Sequence, residues 1–208
     1  MARPFLTDEA KQALSDAVAA VEGCSSAELV VAVRARSGSY LHADLLAGLA
    51  VALAVLTVLL FSPWPFSLVW FVVDPLIVGL LGGFLASRSP AIRRALTSRA
   101  ERRRRVETAA RSTFVEKRIH RTTGRTGILL YISILEREAE VVVDLGVETL
   151  AATDAWGRVT GEIRDAVRRG ADGVEVAGKA RALGALLSPV LVRADGDVDE
   201  LSNEVCAP

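Results

Sequence analysis

The sequence predicts an α/β domain, a small sheet covered by helices, interrupted after its first strand by a two-helix transmembrane hairpin. Three observations lead there. Two long apolar runs, residues 45–61 and 66–86, are separated only by Ser62-Pro63-Trp64-Pro65, and their one charge is Asp74. Short runs rich in Val, Ile and Leu lie on both sides of that block, at 28–33, 127–134 and 140–144. Apolar residues at intervals of three or four flank them, the signature of helices with one buried face.

Each element follows in order. Thr7 can cap a helix whose first turn carries Asp8 and Glu9, acids suited to the positive end of the helix dipole. Ala10, Leu14, Val18 and Val21 give that helix one apolar face, and Gly23 ends it. Residues 28–33 are short and apolar enough for a buried strand, and Ser37-Gly38-Ser39 loosens the chain after it. The apolar runs of about 17 and about 21 residues each suffice, at 1.5 Å per residue, to approach or cross about 30 Å of hydrocarbon. A four-residue link makes the second helix turn back.

From residue 91 to about 119 the chain reads as one long basic helix with a broken apolar stripe through Ala95, Leu96, Val106, Ala110 and Phe114. Thr122-Thr123-Gly124 marks a turn. The strands 127–134 and 140–144 form a hairpin across Glu136-Arg137-Glu138, and neither alternates with polar residues, so both are expected to be buried. A helix capped by Thr153 or Asp154 carries Trp156, Val159, Ile163 and Val167 and stops at Gly170. A last helix begins near Asp172 and presents Val176, Ala180, Leu183 and Leu187 before Pro189. Helices covering a small sheet bury these faces. The expected organisation is a first part of the domain at 1–42, the hairpin at 43–87, a second part at 88–192 and an acidic tail at 193–208.

Charge sets the expected topology. The 208 residues include 25 basic and 25 acidic ones, so the net charge is zero, yet the distribution is uneven. Arg88, Arg93, Arg94, Arg99, Arg102, Arg103, Arg104 and Arg105 follow the second span, whereas the Ser62–Pro65 turn is uncharged. Excess Lys and Arg near span ends marks the cytoplasmic side. Both termini are therefore expected in the cytoplasm and the turn outside, in a bacterial inner (plasma) membrane. The first 14 residues carry Arg3, Asp8, Glu9 and Lys11 and lack the apolar core of a signal peptide. Cys24 and Cys206 have no metal or redox spacing and read as free thiols in a reducing compartment.

Residues 126–133, Thr-Gly-Ile-Leu-Leu-Tyr-Ile-Ser, followed by residues 140–148, Glu-Val-Val-Val-Asp-Leu-Gly-Val-Glu, resemble the central signature of the TPM domain. The strand within Ser26-Ala27-Glu28-Leu29-Val30-Val31-Ala32-Val33 and the Trp156 helix fit its flanks. The resemblance covers roughly 7–40 and 91–190, and bacterial members with a membrane hairpin after the first strand are the nearest in layout. It implies a small α/β/α sandwich. For function it implies acid-phosphatase activity or divalent-metal binding, or else an accessory role beside membrane complexes. Secreted members often read Gly-x-Gly where this chain has Asp144-Leu145-Gly146, so their metal or phosphate role does not carry over residue for residue.

Four groups of residues are candidate sites. Asp144 ends a strand and Glu148 and Asp154 follow closely; converging carboxylates would suit Ca²⁺ or Mg²⁺, which prefer oxygen ligands. The alternative is that Asp144 shapes the turn before Gly146 and Asp154 caps a helix. The run Asp195-Gly196-Asp197-Val198-Asp199-Glu200 lacks the sixth-position Gly and final Glu of an EF-hand loop and reads as a solvated tail. His42 and His120 have no Ser or Cys motif around them, and there is no phosphate loop; His120, Arg121 and Arg125 read as a solvated basic helix end rather than an anion site. Arg102, Arg103, Arg104 and Arg105 point all round a helix, which suits anionic lipid, at about 1 kcal/mol per residue near the surface, better than nucleic acid.

Asp74 is the membrane-embedded polar residue. Placed near the middle of the second span it would cost about 2.5–3.5 kcal/mol when ionised. It reads either as a contact for a partner helix or proton-linked group, or as a protonated acid bonded within a kink at Pro75. Gly79, Gly82 and Gly83 on the same helix would allow a close helix approach. The functional expectation is a membrane-anchored, non-enzymatic interaction or assembly module, meeting the bilayer and a membrane-protein partner or a second copy through the hairpin. No nucleic acid and no resident cofactor are expected. The alternative is a divalent-metal-dependent phosphatase.

Overall fold

The computed structural model describes residues 5–193. The acidic tail from residue 194 onward, including Cys206, lies outside them. Two compact units share the chain. The first combines residues up to Ser37 with residues from Arg103 onward; the second is Gly38–Arg102. The expected 43–87 hairpin is thus the core of a larger unit that takes in the basic segment to Arg102.

The first unit is mixed α/β. Helix α1 (Asp8–Cys24) is capped as expected, Thr7 Oγ1 accepting from Ala10 N at 3.1 Å. Strand β1 (Glu28–Arg34) pairs in parallel with β2 (Gly127–Ser133), which pairs antiparallel with β3 (Glu138–Val143). The order is β1-β2-β3, so β2 is central and fully buried. A parallel pair needs a crossover, and here the crossover is residues 35–126, which contain the apolar hairpin. Only the start of β3 is buried. Its remainder is half-buried, which corrects the expectation that both strands of the hairpin are buried.

Helices lie on both faces of this sheet. On one face, Leu14, Val18 and Val21 of α1 pack with Leu29, Val31, Ile128, Leu130 and Ile132 of the strands. The same core takes in α7 (Asp154–Arg169), α8 (Gly173–Ala180) and α9 (Ala182–Leu187) through Trp156, Ile163, Val176, Leu183 and Leu187. The single last helix expected from the spacing is two, broken at Arg181. The other face is covered by α5 (Arg99–Glu116), whose Val106, Ala110 and Phe114 pack on Val30, Ala32, Leu129 and Tyr131.

In the second unit, α2 (Leu41–Phe61) and α3 (Trp70–Arg88) are about 31 and 28 Å long at 1.5 Å per residue. Both are long and apolar enough to cross a membrane, and only 11% and 17% of their most apolar stretches are buried. A core helix of a soluble domain would be mostly buried, whereas Leu45, Leu60, Phe61, Leu80 and Leu85 are all more than 60% exposed. Membrane association is the consequence. The link between the two helices is residues 62–69, twice the expected four, because the second helix begins at Trp70.

The long basic helix expected at 91–119 is broken. A short α4 (Pro90–Ala95) is followed by Leu96-Thr97-Ser98 and then α5, whose Glu101 N donates to Ser98 Oγ at 3.2 Å. The Arg102 guanidinium seals the break, donating to the carbonyls of Arg94 at 2.5 Å and Thr97 at 2.9 Å.

Candidate functional site

The corner around Asp144 is built from two loops whose backbones touch. Gly146 N donates to Arg125 O at 2.9 Å, and a Cβ on Gly146 would meet Gly124 O at 2.7 Å and Arg125 O at 2.8 Å. Only glycine permits that approach. Thr122 Oγ1 accepts from Thr126 N at 3.0 Å, while Thr126 Oγ1 donates to Ser26 O at 2.8 Å, tying the loop to the start of β1. Arg125 is held in the left-handed region at φ 54°.

That geometry delivers Arg125 to Asp144. Its Nε and Nη2 donate to the two carboxylate oxygens at 2.8 and 2.9 Å, and Leu145 N donates to one of them at 2.8 Å. The Asp144 residue is 5% exposed. Burial pushes its carboxyl pKa up, but the Arg125 and Leu145 hydrogen bonds and the Arg125 and His120 charges outweigh it, and the net shift is down. The carboxylate therefore stays ionised against a fixed internal cation. His120, in the 3₁₀ turn Ile119–Arg121, lies against Phe114 with ring centroids 6.4 Å apart, and its buried Nδ1 has no hydrogen-bond partner among the described residues.

The other two carboxylates of the expected cation site do not join Asp144. Glu148 begins the short helix α6 (Glu148–Ala151) and Asp154 begins α7; both are exposed. Thr153, not Asp154, caps α7, its Oγ1 accepting from Trp156 N at 3.3 Å. Among the described residues no three His, Cys, Asp or Glu side chains converge as metal ligands. The sequence does not reveal Arg125 as the partner of Asp144, because a separation of 19 residues carries no local signal.

A second polar cluster is likewise invisible in the sequence. Ser37 Oγ donates to Ser133 Oγ at 2.8 Å and lies 3.1 Å from Tyr131 Oη. Ser133 Oγ in turn hydrogen-bonds Glu136, whose other carboxylate oxygen accepts from Ser37 N at 2.8 Å. Ser133 and Glu136 are almost wholly buried. Burial raises the Tyr131 phenol pKa. This cluster fixes the residue where the chain leaves the domain for the apolar hairpin.

In the hairpin unit the glycines are spent on internal packing. A Cβ on Gly48 would meet Gly79 O at 2.7 Å, one on Gly79 would meet Ala52 Cβ at 2.8 Å, and one on Gly83 would meet Asp44 O at 3.0 Å. Gly82 faces the side chain of Val51. These contacts make α2 and α3 antiparallel neighbours, so Gly79, Gly82 and Gly83 serve the approach of α2 rather than that of a partner. Asp74 is the fifth residue of α3, about 6 Å along the helix from Trp70. That is nearer one end of the helix than the sequence predicts, because the predicted second span starts at residue 66 and the helix starts at Trp70. It forms no hydrogen bond or ion pair with the described residues, so the bond near Pro75 that the alternative reading expects is not found among them.

The four consecutive arginines separate by role. Arg102 caps the break before α5, and Arg103 pairs with Glu107 at 2.8 Å. Arg104 is exposed, and Arg105 is half-buried. The cationic surface left for an anionic lipid is therefore narrower than four adjacent residues suggest.

No family model matches the chain, and no curated protein matches it. Among solved structures, it is similar to the NMR structure of the BA42 protein from the psychrophilic bacterium Bizionia argentinensis. The TM-score is 0.59 at 15% identity, over 100% of this chain and 99% of that one. At that identity the likeness speaks for the fold alone.

Proposed function

We propose that this chain is a membrane-anchored, non-enzymatic interaction or assembly module with a TPM-like α/β/α domain. The observation that carries this reading is the place of the hairpin. It sits within the crossover that joins β1 to β2, so the domain closes only if both hairpin ends emerge on one side of the bilayer. The arginines after α3 and the uncharged turn support the cytoplasm as that side, in a bacterial inner membrane with both termini inside.

Asp74 is the proposed point of contact within the membrane, with a partner helix or a second copy as the alternatives. An acid without a partner among the described residues is costly at membrane depth and becomes cheaper when another helix supplies a donor. Cross-linking in membranes, with and without Asp74→Leu, tests this; an unchanged partner pattern would count against it. Topology is tested in a Cys206→Ser background. A membrane-impermeant thiol reagent should leave the exposed Cys24 unlabelled in intact cells but label Trp64→Cys. The reverse pattern would place the domain outside.

The second reading, a phosphatase using Ca²⁺ or Mg²⁺, rests on the TPM resemblance and the buried Asp144. The bidentate hold of Arg125 on that carboxylate weighs against it, since a cation would have to displace a guanidinium. Phosphate-ester hydrolysis that needs Mg²⁺ and disappears in Asp144→Asn would reverse the order of the two readings.

A further inference from the structure

One face of the α2–α3 pair carries a groove of about 400 Å³. Its floor is formed at Gly48 and Gly79, where the backbones approach closely, and its walls by Leu45, Leu49, Leu80 and Phe84. Those wall residues are all more than half exposed. Two guanidiniums stand at one end. Arg88 lies over the Phe84 ring, 4.9 Å from its centroid, and Arg93 grips Asp44, itself a lining residue, at 2.9 and 2.6 Å. Two cations against one carboxylate leave that end one charge positive. Arg93 keeps donors to spare, since a guanidinium has five and the pair uses two.

We propose that this groove binds one anionic phospholipid, an acyl chain lying along the glycine floor and the phosphate meeting Arg88 and Arg93. The proposal rests on the membrane-anchored reading. Charge argues for a lipid over a helix from a second copy. A second copy inserted with the same topology brings its own Arg88 and Arg93 to the same side of the bilayer, whereas a lipid phosphate brings the negative charge that this end lacks. Charge selects the headgroup, because a zwitterionic lipid brings its own cation to an end that already has an excess one.

Native mass spectrometry of the detergent-solubilised full chain, offered equal phosphatidylglycerol and phosphatidylcholine, tests this. One phosphatidylglycerol should be retained in preference. Arg88→Gln should lower that preference about fivefold, the worth of one basic residue near a membrane surface, and Arg88→Lys should restore most of it. Leu45→Trp, which fills the groove, should remove the retained lipid altogether. Arg158→Gln, an exposed position on α7, should leave the preference unchanged. Equal retention of both lipids, or an equal loss in Arg88→Gln and Arg158→Gln, would overturn the proposal. Disulfide cross-linking of Leu80→Cys between two copies would overturn it in favour of a dimer. Release of the wild-type chain from membranes by carbonate would overturn the anchored reading as well; retention without lipid preference would overturn only this one.

Discussion

The carboxylate of Asp44 and the guanidinium of Arg93 meet in a two-point ion pair, Nε to Oδ1 at 2.9 Å and Nη2 to Oδ2 at 2.6 Å. Both side chains are 14% exposed. The pair joins the first turn of α2 to α4, 49 residues on, and closes the hairpin unit at the end away from its turn. Hydrogen bonds to Asp44 raise the Arg93 pKa, outweighing the burial that lowers it. Arg93→Gln should cost at least about 1–3 kcal/mol, the penalty for leaving a buried hydrogen-bonding group unpaired, which is larger for a charged one. Arg93→Lys should recover only part, because an ammonium cannot make the parallel two-point contact. Asp44→Asn with Arg93→Gln should cost less than Arg93→Gln alone. Thermal melts of the full chain in detergent check all three.

Glycines separate the two units in a second way. A methyl group on Gly79 would meet Ala52 Cβ at 2.8 Å and Gly48 O at 3.0 Å, both on a neighbouring helix that cannot yield without losing its own contacts. Gly79→Ala should therefore destabilise the hairpin by about 1–3 kcal/mol through overpacking. Gly161, inside α7, has open space where a Cβ would stand, with nothing within 4 Å. Gly161→Ala should stabilise the domain by about 0.5–1 kcal/mol, the helix-propensity difference, or about 2–4 °C per kcal/mol in a chain of this size. A melt in which both substitutions move the midpoint the same way would refute the packing assigned to the glycines.

Periodicity and length make the elements legible. Thr7, Gly170 and the Ile128–Ile132 run act through neighbours in sequence, so α1, α7 and β2 are readable from the chain alone. What escapes depends on contacts across long separations. Asp44 and Arg93 lie 49 residues apart, Arg125 and Asp144 19 apart, and Ser37 and Glu136 99 apart. The break at Leu96-Thr97-Ser98 is hidden because its seal is Arg102, which in sequence is one basic residue among four. Asp74 reads as further along the second helix than it is, because Phe66, Leu68 and Val69 are apolar enough to pass for helix, whereas the helix begins at Trp70.

The edge strand β3 presents Glu140 to Arg164 of α7 at 3.2 Å, with Glu107 and Arg103 of α5 nearby. Burial raises the Glu140 pKa above 4.5, Glu107 adds to it, and the two arginines only partly offset it. An acid whose folded pKa is raised burdens the folded state when ionised. That burden is present at neutral pH and is relieved as pH falls through the folded pKa toward 4.5. Glu140→Gln should therefore raise the melting temperature at pH 7–8, and the gain should shrink as the pH approaches 4.5. A gain that persists unchanged at pH 4 would mean that it comes from something other than the charge.

Asp144 and Arg125 make an asymmetric pair, since the Asp144 side chain is 5% exposed and that of Arg125 51%. Losing Asp144 frees a guanidinium that water can solvate; losing Arg125 strands a carboxylate that water cannot reach. Arg125→Met should therefore lower the melting temperature at pH 7 more than Asp144→Asn, although each removes the same ion pair. The pH dependence carries the same asymmetry. In the wild-type chain the Asp144 pKa lies below 3.8, so its stabilising contribution is complete above the ordinary carboxylate range and is lost as pH falls through the lowered value. In Arg125→Met, burial acts with only the Leu145 N–H and the His120 charge against it, the pKa moves up, and acid unfolding should begin at a higher pH. The two stability curves should converge once both carboxyls are protonated. Equal losses for the two single substitutions, with parallel acid transitions, would show that Arg125 does not hold Asp144 as a charge.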